Sequence, residues 1–378
     1  MNIPKLRFKD NNGNDYPQWE KKLIKDILKI YHGKDYKNEP NEKKLYPVLG
    51  TGGIITYIDK FLCDWECVLI GRKGTINKPQ YMKTPFWSVD TLFYSKPKLK
   101  QNPKFQYYLF QNINWKIYDE STGVPSLSAS TIEHINRFIP TYAEQEKIAS
   151  FFSTIDKKIE NLTNTITSLE NQKKGLLQQI FSQKLRFKDK NGNNYPNWEK
   201  KKLGDITTSY SGGTPSVNVK DYYNGAIPFI KSGEIHNSFT ETFITETGLN
   251  SSSAKLVKKG DLLFALYGAT SGDTSISKIN GAINQAILCV RSTTLNLHYL
   301  YQLLNFYRNK LLSIYLQGGQ GNFSATIFKN LIFNFPCLEE QTKIADFLSA
   351  FDRKLDNQKA QLEHWQQIKK GLLQQMFV

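Results

Sequence analysis

The chain has 378 residues, 39% of them hydrophobic, and carries 50 Lys and Arg against 34 Asp and Glu, a formal net charge of +16. That length suggests two or three domains with cores of ordinary size. With no run of 18 apolar residues and no apolar signal segment behind Met1, a cytoplasmic protein without a membrane partner is expected. Four cysteines (Cys63, Cys67, Cys289, Cys337) form no disulfide framework, and Cys63 and Cys67 lack a second His or Cys pair for zinc.

The chain opens on Lys5-Leu-Arg-Phe-Lys-Asp10, followed by Asn12-Gly-Asn14, Tyr16-Pro17 and Trp19-Glu20, and this stretch returns at 184–201 with 15 of 18 positions identical. Its Asn-Gly and Tyr-Pro pairs predict turns, with the tryptophan as an anchor for the domain behind it. Behind each opener lies a run of short apolar segments. Tyr46–Ile54 corresponds to Ile227–Ile235, a strand entering a glycine turn, and Cys67–Gly74 to Leu262–Gly272, a strand delivering a loop bracketed by glycines. Trp87–Tyr94 corresponds to Ala282–Val290. Helices are predicted over Phe105–Trp115 and His298–Tyr315, each followed by a polar loop, Gly123–Ala129 and Gly321–Ala325. Such elements imply mixed α/β domains whose loops project together.

Each domain runs into a second repeat. Residues 144–181 return without a gap as 340–377, with 18 of 38 positions identical. Ile148, Phe152, Ile155, Ile159, Leu162, Ile166, Leu169, Leu176 and Ile180 fall on alternating steps of four and three, with Lys173 at the remaining step. Ile344, Leu348, Phe351, Leu355, Leu362, Trp365, Leu372 and Met376 keep the phase, with Gln358 and Lys369 at the polar steps. These are heptad seams on helices of roughly 57 Å. The simplest cover for each stripe is the other copy, and short connections make the pair antiparallel; the alternative is that each stripe packs on its own domain. The opener should lie against the end of the second helix, bringing the termini together. Gly175 and Gly371 lie off the seam, where either a partner backbone approaches closely or a local kink or contact with the chain's own domain explains them. Lys173 and Lys369 are candidates for fixing register.

The expected fold class is α+β: two mixed α/β recognition domains separated by an antiparallel two-helix coiled coil, in a pseudo-two-fold internal repeat. The segments are 1–143, 144–181, 182–339 and 340–378. Their net charges are +8, 0, +7 and +1, so the positive charge lies outside the coiled coil, as for a polyanion held at two places; double-stranded DNA fits best.

Catalytic signatures are missing. There is no Gly-x4-Gly-Lys-Ser/Thr loop, no His-Glu-x-x-His, and no Asn/Asp-Pro-Pro-aromatic motif of amino-group methyltransferases. Glu144-x-Glu146-Lys147 is no nuclease set, since its counterpart is Glu340-x-Thr342-Lys343; helix-dipole complementarity explains acidic residues there. Gly212-Gly-Thr-Pro-Ser216 is either a plain turn or a cradle for an anion or DNA backbone. Arg72-Lys73 is either a solvated hairpin tip or a DNA contact. Candidate DNA-contacting residues in these loops are Lys34, Thr51, Arg72, Lys73, Thr75, Ser126 and Ser128 in the first domain. Those in the second are Gly213, Thr214, Ser216, Lys231, Ser232, Tyr267, Thr270, Ser271, Asn322 and Ser324.

Across its whole length the chain resembles the specificity subunits of type I restriction-modification systems. The resemblance rests on Pro140…Glu144-Gln-x-Lys147-Ile-Ala149 and Pro336…Glu340-Gln-x-Lys343-Ile-Ala345, the Lys-Lys-Gly-Leu-Leu-Gln-Gln segments at 173–179 and 369–375, Ser211–Ser216, and the Lys-Leu-Arg-Phe and Trp-Glu openers. It implies a non-catalytic subunit whose two domains each read half of a bipartite DNA target, with an unread spacer set by the coiled coil. It also implies two methyltransferase subunits that use S-adenosylmethionine, restriction subunits that use ATP and Mg, and no metal or cofactor on this chain. The competing assignment is a free-standing two-domain DNA-binding regulator.

Overall fold

The structure is a computed structural model that describes residues 4–315 and 322–377; Gly321 of the second polar loop and the terminal Val378 lie outside the described residues. Two compact units are present, one of residues 1–165 with 359–378 and one of residues 166–358.

The first unit contains β1 (Glu20–Leu23), α1 (Ile24–Ile27), β2 (Leu28–Tyr31), β3 (Tyr46–Gly50), β4 (Gly53–Ile58), β5 (Cys67–Gly71), β6 (Gln80–Met82), β7 (Trp87–Ser88), β8 (Leu92–Pro97), α2 (Pro103–Gln111), α3 (Ala129–Glu133), β9 (Asn136–Ile139) and the start of α4 (Tyr142–Phe181). Strands β2-β8-β5-β6 form an antiparallel sheet, β4-β3-β7 a smaller sheet with β3 parallel to β7, and β1-β9 a two-stranded ribbon. The second unit repeats the plan with β10 (Glu199–Lys202), α5 (Leu203–Ile206), β11 (Thr208–Ser211), β12 (Tyr223–Ile230), β13 (Phe243–Ile244), α6 (Glu246–Asn250), β14 (Lys255–Val257), β15 (Leu262–Ala265), β16 (Thr274–Ile276), β17 (Gly281–Ile283), β18 (Ile287–Arg291), α7 (Leu297–Tyr315), α8 (Ala325–Asn330), β19 (Ile332–Phe335) and the start of α9 (Leu338–Met376). Its sheets are β11-β18-β15-β16 and β13-β12-β17-β14, with β10-β19 as the ribbon.

The structure corrects two expectations. Trp87–Tyr94 and Ala282–Val290 are each split between two strands in different sheets, because the chain turns after Ser88 and Ile283. The first helix is Pro103–Gln111, stopped at Asn112, and Trp115 instead begins a short 3-10 turn, Trp115–Tyr118. The ribbons carry no sequence signal, since β1 and β10 are Glu-Lys-Lys-Leu and Glu-Lys-Lys-Lys, half-exposed and held by backbone pairing.

The repeated motifs meet at a joint, once in each unit. Glu144 is fully buried and its carboxylate accepts from Arg7 Nε (3.0 Å), Arg7 Nη2 (2.7 Å) and Trp19 Nε1 (3.1 Å). Glu340 receives Arg186 (2.9 and 2.7 Å) and Trp198 (3.1 Å) in the same way. The dipole explanation of these carboxylates is therefore insufficient: they are buried charges, each paired with a forked guanidinium and an indole. The adjoining glutamine ties the joint to the reader domain, as Gln145 Nε2 donates to Pro140 O while Asn102 N donates to Gln145 Oε1, at 3.1 and 2.9 Å. Gln341 does the same with Pro336 and Asn296. Lys147 and Lys343 donate to the carbonyls of Lys9 and Lys188.

Helix pairing is visible within each unit. In the first, Ile148, Phe152, Ile155, Leu373, Met376 and Phe377 share the domain core, with Ile159, Trp365 and Leu372 packed against it. Leu6 N donates to Gln375 O at 3.1 Å and Trp19 lies edge-on to Phe377, so the opener sits against the end of α9 as expected. In the second unit Ile180 and Phe181 share a core with Ile344 and Leu348, while Ile166, Leu169 and Leu355 are also buried. The two lysine heptad steps are ion pairs: Lys173 Nζ lies 2.5 Å from Asp352 and Lys369 Nζ 2.7 Å from Asp156. The helices thus run antiparallel in each unit, with 180 and 344 in one core and 173 paired with 352 in the second unit, and 152 beside 377 and 156 paired with 369 in the first. Leu162 is buried, whereas Phe351 and Leu362 are half-buried.

Candidate nucleic-acid interface

In the first unit the candidate residues converge at one end of the sheets. β3 ends in the turn Gly50-Thr51-Gly52-Gly53, whose Gly50 carbonyl accepts from Gln80 Nε2 at 2.8 Å. Register shifts between Val48 and Leu49, which pair Thr56 and Ile54, so Ile55 is the extra residue of a bulge; both isoleucines are more than half exposed beside the turn. The loop after β5 lies alongside, where a Cβ on Gly74 would meet Thr51 Oγ1 at 3.9 Å. Backbone bonds hold this loop: Gly74 N to Pro125 O (2.8 Å) and Leu127 N to Arg72 O (2.9 Å), which together bridge Lys73 and Ser126, and Arg72 N to Thr91 O (2.8 Å). Lys34 joins from the far side of β7, its N donating to Ser88 O at 2.8 Å. Thr51, Arg72, Lys73, Thr75 and Ser126 are thereby grouped, with the Lys34 and Lys73 side chains exposed. Ser128 has a structural task, capping α3 through Thr131 N.

The second unit groups its own set. Leu49 and Ile230 occupy equivalent places, each parallel-paired with the strand behind, to Ser88 and Ile283. Lys231 and Ser232 therefore stand where Gly50 and Thr51 stand. Asn322 lies beside Phe323, whose N donates to Leu266 O at 2.7 Å, matching the Leu127–Arg72 bond and bringing the polar loop against the Leu266–Asp273 loop. Tyr267 and Thr270 are half-exposed, but Ser271 is buried and its hydroxyl donates to Leu266 O. Ser324 caps α8 through Ile327 N.

Gly212-Gly213 receives a packing explanation. A Cβ on Gly212 would lie 1.8 Å from Ile283 O and one on Gly213 2.5 Å from Ser253 Cβ, and Gly213 N already donates to Ile283 O. Its N–H is thus committed within the fold. Thr214 and Ser216 remain exposed, with Thr214 Oγ1 donating to Gln285 at 2.6 Å. Sequence reasoning missed Gln80, Gln285, His236, Asp273 and Arg308, since each is a lone polar residue with no motif around it.

Cys63 and Cys67 are buried free thiols 3.8 Å apart, and among the described residues no group of three His, Cys, Asp or Glu could hold a metal. A Cβ at Gly175 or Gly371 would meet nothing within 4 Å, so no described part of this chain's own domains makes the close approach that one explanation required. Among the described residues no helix is long and apolar enough to cross a membrane.

The comparisons with known proteins agree with this architecture. The family model for the type I restriction modification DNA specificity domain matches twice, over residues 16–171 and 195–364. The MjaVIII type I restriction enzyme specificity subunit of Methanocaldococcus jannaschii is 23% identical over 97% of this chain and 94% of its own length. The EcoR124I/EcoR124II specificity subunit of Escherichia coli is 26% identical over 57% of this chain and 55% of its own. The crystal structure of the type I restriction-modification S subunit from M. genitalium superposes with a TM-score of 0.73 at 17% identity, covering 100% of this chain and 99% of that one, which shows a shared fold. With two matched domains over most of its length, the chain belongs to the family of type I restriction-modification DNA specificity subunits.

Proposed function

We propose that each unit reads one half of a bipartite duplex target through the loop cluster at the end of its sheets. In this reading the helix pair sets the spacer and carries two methyltransferase subunits, with restriction subunits joining the complex. This chain is the non-catalytic DNA-recognition subunit; S-adenosylmethionine, ATP and Mg are used by the partners, in the cytoplasm. The observation that carries the reading is the duplication itself: two basic units with the same joint and sheet plan present differently composed loops, Gly50–Gly53 with Arg72–Thr75 against Lys231–Glu234 with Leu266–Asp273. A common frame with unlike loops suits two half-targets of different sequence, since base edges are read by side chains in loops or helices while phosphate contacts only position them. The open outer face at Gly175 and Gly371 supports helix packing by a partner.

Mapping methylated adenines in cells with and without the chain tests this reading. A two-part motif that disappears with the chain is expected; an unchanged methylation pattern would refute it. The spacer role is checked by inserting one heptad after Leu162 and at Gln358. This lengthens each helix by about 10.5 Å while keeping the seam in phase, and both half-sequences should be retained around an altered spacer.

A further inference from the structure

We infer that Arg308 is the positioning residue of the second reader: it acts through Asp273 and the Ser271 carbonyl to hold the Leu266–Asp273 loop in the conformation that meets DNA. The inference rests on the reading of this loop and the Lys231–His236 turn as a DNA-contacting surface.

The loop connects β15 to β16 and contains two glycines in the left-handed region, Gly268 (φ 87°) and Gly272 (φ 78°). Such a connection is entropically loose unless something restrains it. Backbone bonds within the loop and from Phe323 N give part of that restraint, and α7 adds the rest. Arg308 Nη2 donates to Ser271 O at 3.1 Å and pairs with Asp273 Oδ1 at 2.7 Å. The base of the loop rests on the same helix, since a Cβ on Gly272 would lie 3.3 Å from Leu312 Cδ2 and 3.6 Å from Arg308 Cγ. The other Asp273 oxygen faces His236 Nε2 at 3.8 Å, and His236 belongs to the turn after β12. One carboxylate therefore connects the helix, the hairpin loop and the neighbouring turn, and the guanidinium holds it from behind. Both contacts are made by the one nitrogen Nη2, so a lysine would keep the charge but would have to place its single ammonium where Nη2 stands.

Among its described residues the first unit has no such clamp. Asn102 and Asn296 occupy equivalent caps, each taking the glutamine of the joint, and this register places Asn114 where Arg308 stands. Asn114 lies beyond the end of α2 at Gln111. There the loop is held by backbone bonds to residues 125–127 and to Thr91; the second unit has the counterpart of one of them, Phe323 N to Leu266 O, in addition to the clamp. Loss of Arg308 should consequently disturb one half of the target and leave the other.

The test measures DNA binding by the full chain in its complex with the methyltransferase subunits. The probes are the mapped target and copies carrying single base-pair changes in either half. In Arg308→Ala, affinity for the intact target should fall about tenfold, and the penalties for second-half changes should shrink while first-half penalties hold. Asp273→Ala should behave alike, Arg308→Lys should give a smaller loss confined to the same half, and the exchange Arg308→Asp with Asp273→Arg should restore second-half penalties. Unchanged second-half penalties in a folded Arg308→Ala complex overturn the clamp, as does an equal loss in both halves. If Arg308→Ala does not fold, Arg308→Lys and the exchange decide by the same criteria. A wild-type complex indifferent to second-half changes would instead overturn the reading of the loop as a DNA contact.

Discussion

Glu144 and Glu340 show how much one residue does in this fold. Each is a fully buried carboxylate whose partners, an arginine and a tryptophan, come from an opener more than a hundred positions earlier. Removing a buried acid while leaving its guanidinium in place strands a charge. Glu144→Ala is expected to destabilise the first unit by about 3 kcal/mol and to release the opener, read as faster amide exchange at residues 5–19. Unaltered exchange there would show that the opener is held by its apolar contacts. Tyr299 argues in the opposite direction. It is fully buried, its hydroxyl finds no partner among the described residues, and Phe105 fills the equivalent place in the first unit. Tyr299→Phe should therefore leave the second unit unchanged or raise its stability by about 1 kcal/mol, seen as a higher midpoint for that unit in calorimetry.

Within the paired helices, the two lysine steps of the heptad seams carry specificity. Lys173 with Asp352 and Lys369 with Asp156 place one ion pair in each unit, and each aspartate also accepts from the reader helix, Gln302 in one unit and Tyr108 in the other. A slip of register would separate both sets, which is a stronger reason for lysine in a seam than the pair energy alone. A double-mutant cycle on Lys173 and Asp352 should return a coupling of about 1 kcal/mol that diminishes in high salt, because both side chains retain some exposure. A coupling of zero would leave register to the apolar steps. A Cβ at Gly175 or Gly371 would meet nothing within 4 Å among the described residues, which leaves a local kink or the partner surface proposed above to account for glycine in these helix interiors.

At the level of the whole molecule, charge is the governing quantity. A net +8 in the first recognition segment and +7 in the second make phosphate neutralisation the main source of affinity, and released counterions make that affinity salt-dependent. Binding by the complex should fall by about a thousandfold between about 50 and about 200 mM salt, for specific and unrelated DNA alike; a flat response would mean that phosphate contacts are few. Because each unit has its own core and its own joint, replacing residues 24–139 by the matching segment of another specificity subunit should alter only one half of the methylated motif. Loss of both halves in a folded hybrid would show that the readers are not independent.

The duplication, the heptad seams, the antiparallel pairing, the split of charge and the family were legible in the sequence, because each is a one-dimensional signal: a repeat, a period of 3.5, a count, or a motif such as Glu144-Gln-x-Lys147. The strands ending in glycine turns were legible for the same reason, as a short apolar run followed by a breaker. What those motif residues do was not legible. Glu144 meets Arg7 across 137 positions, and nothing local distinguishes it from an acidic residue serving a helix dipole. The same holds for the charged ribbon strands, whose pairing is made by backbone atoms that every residue carries. It holds too for Arg308, an unremarked arginine in a helix until the hairpin loop is laid against it. Periodicity determines which face of an element is buried; the partner of a polar group depends on which loop the topology brings within 3 Å, and only the tertiary structure decides that.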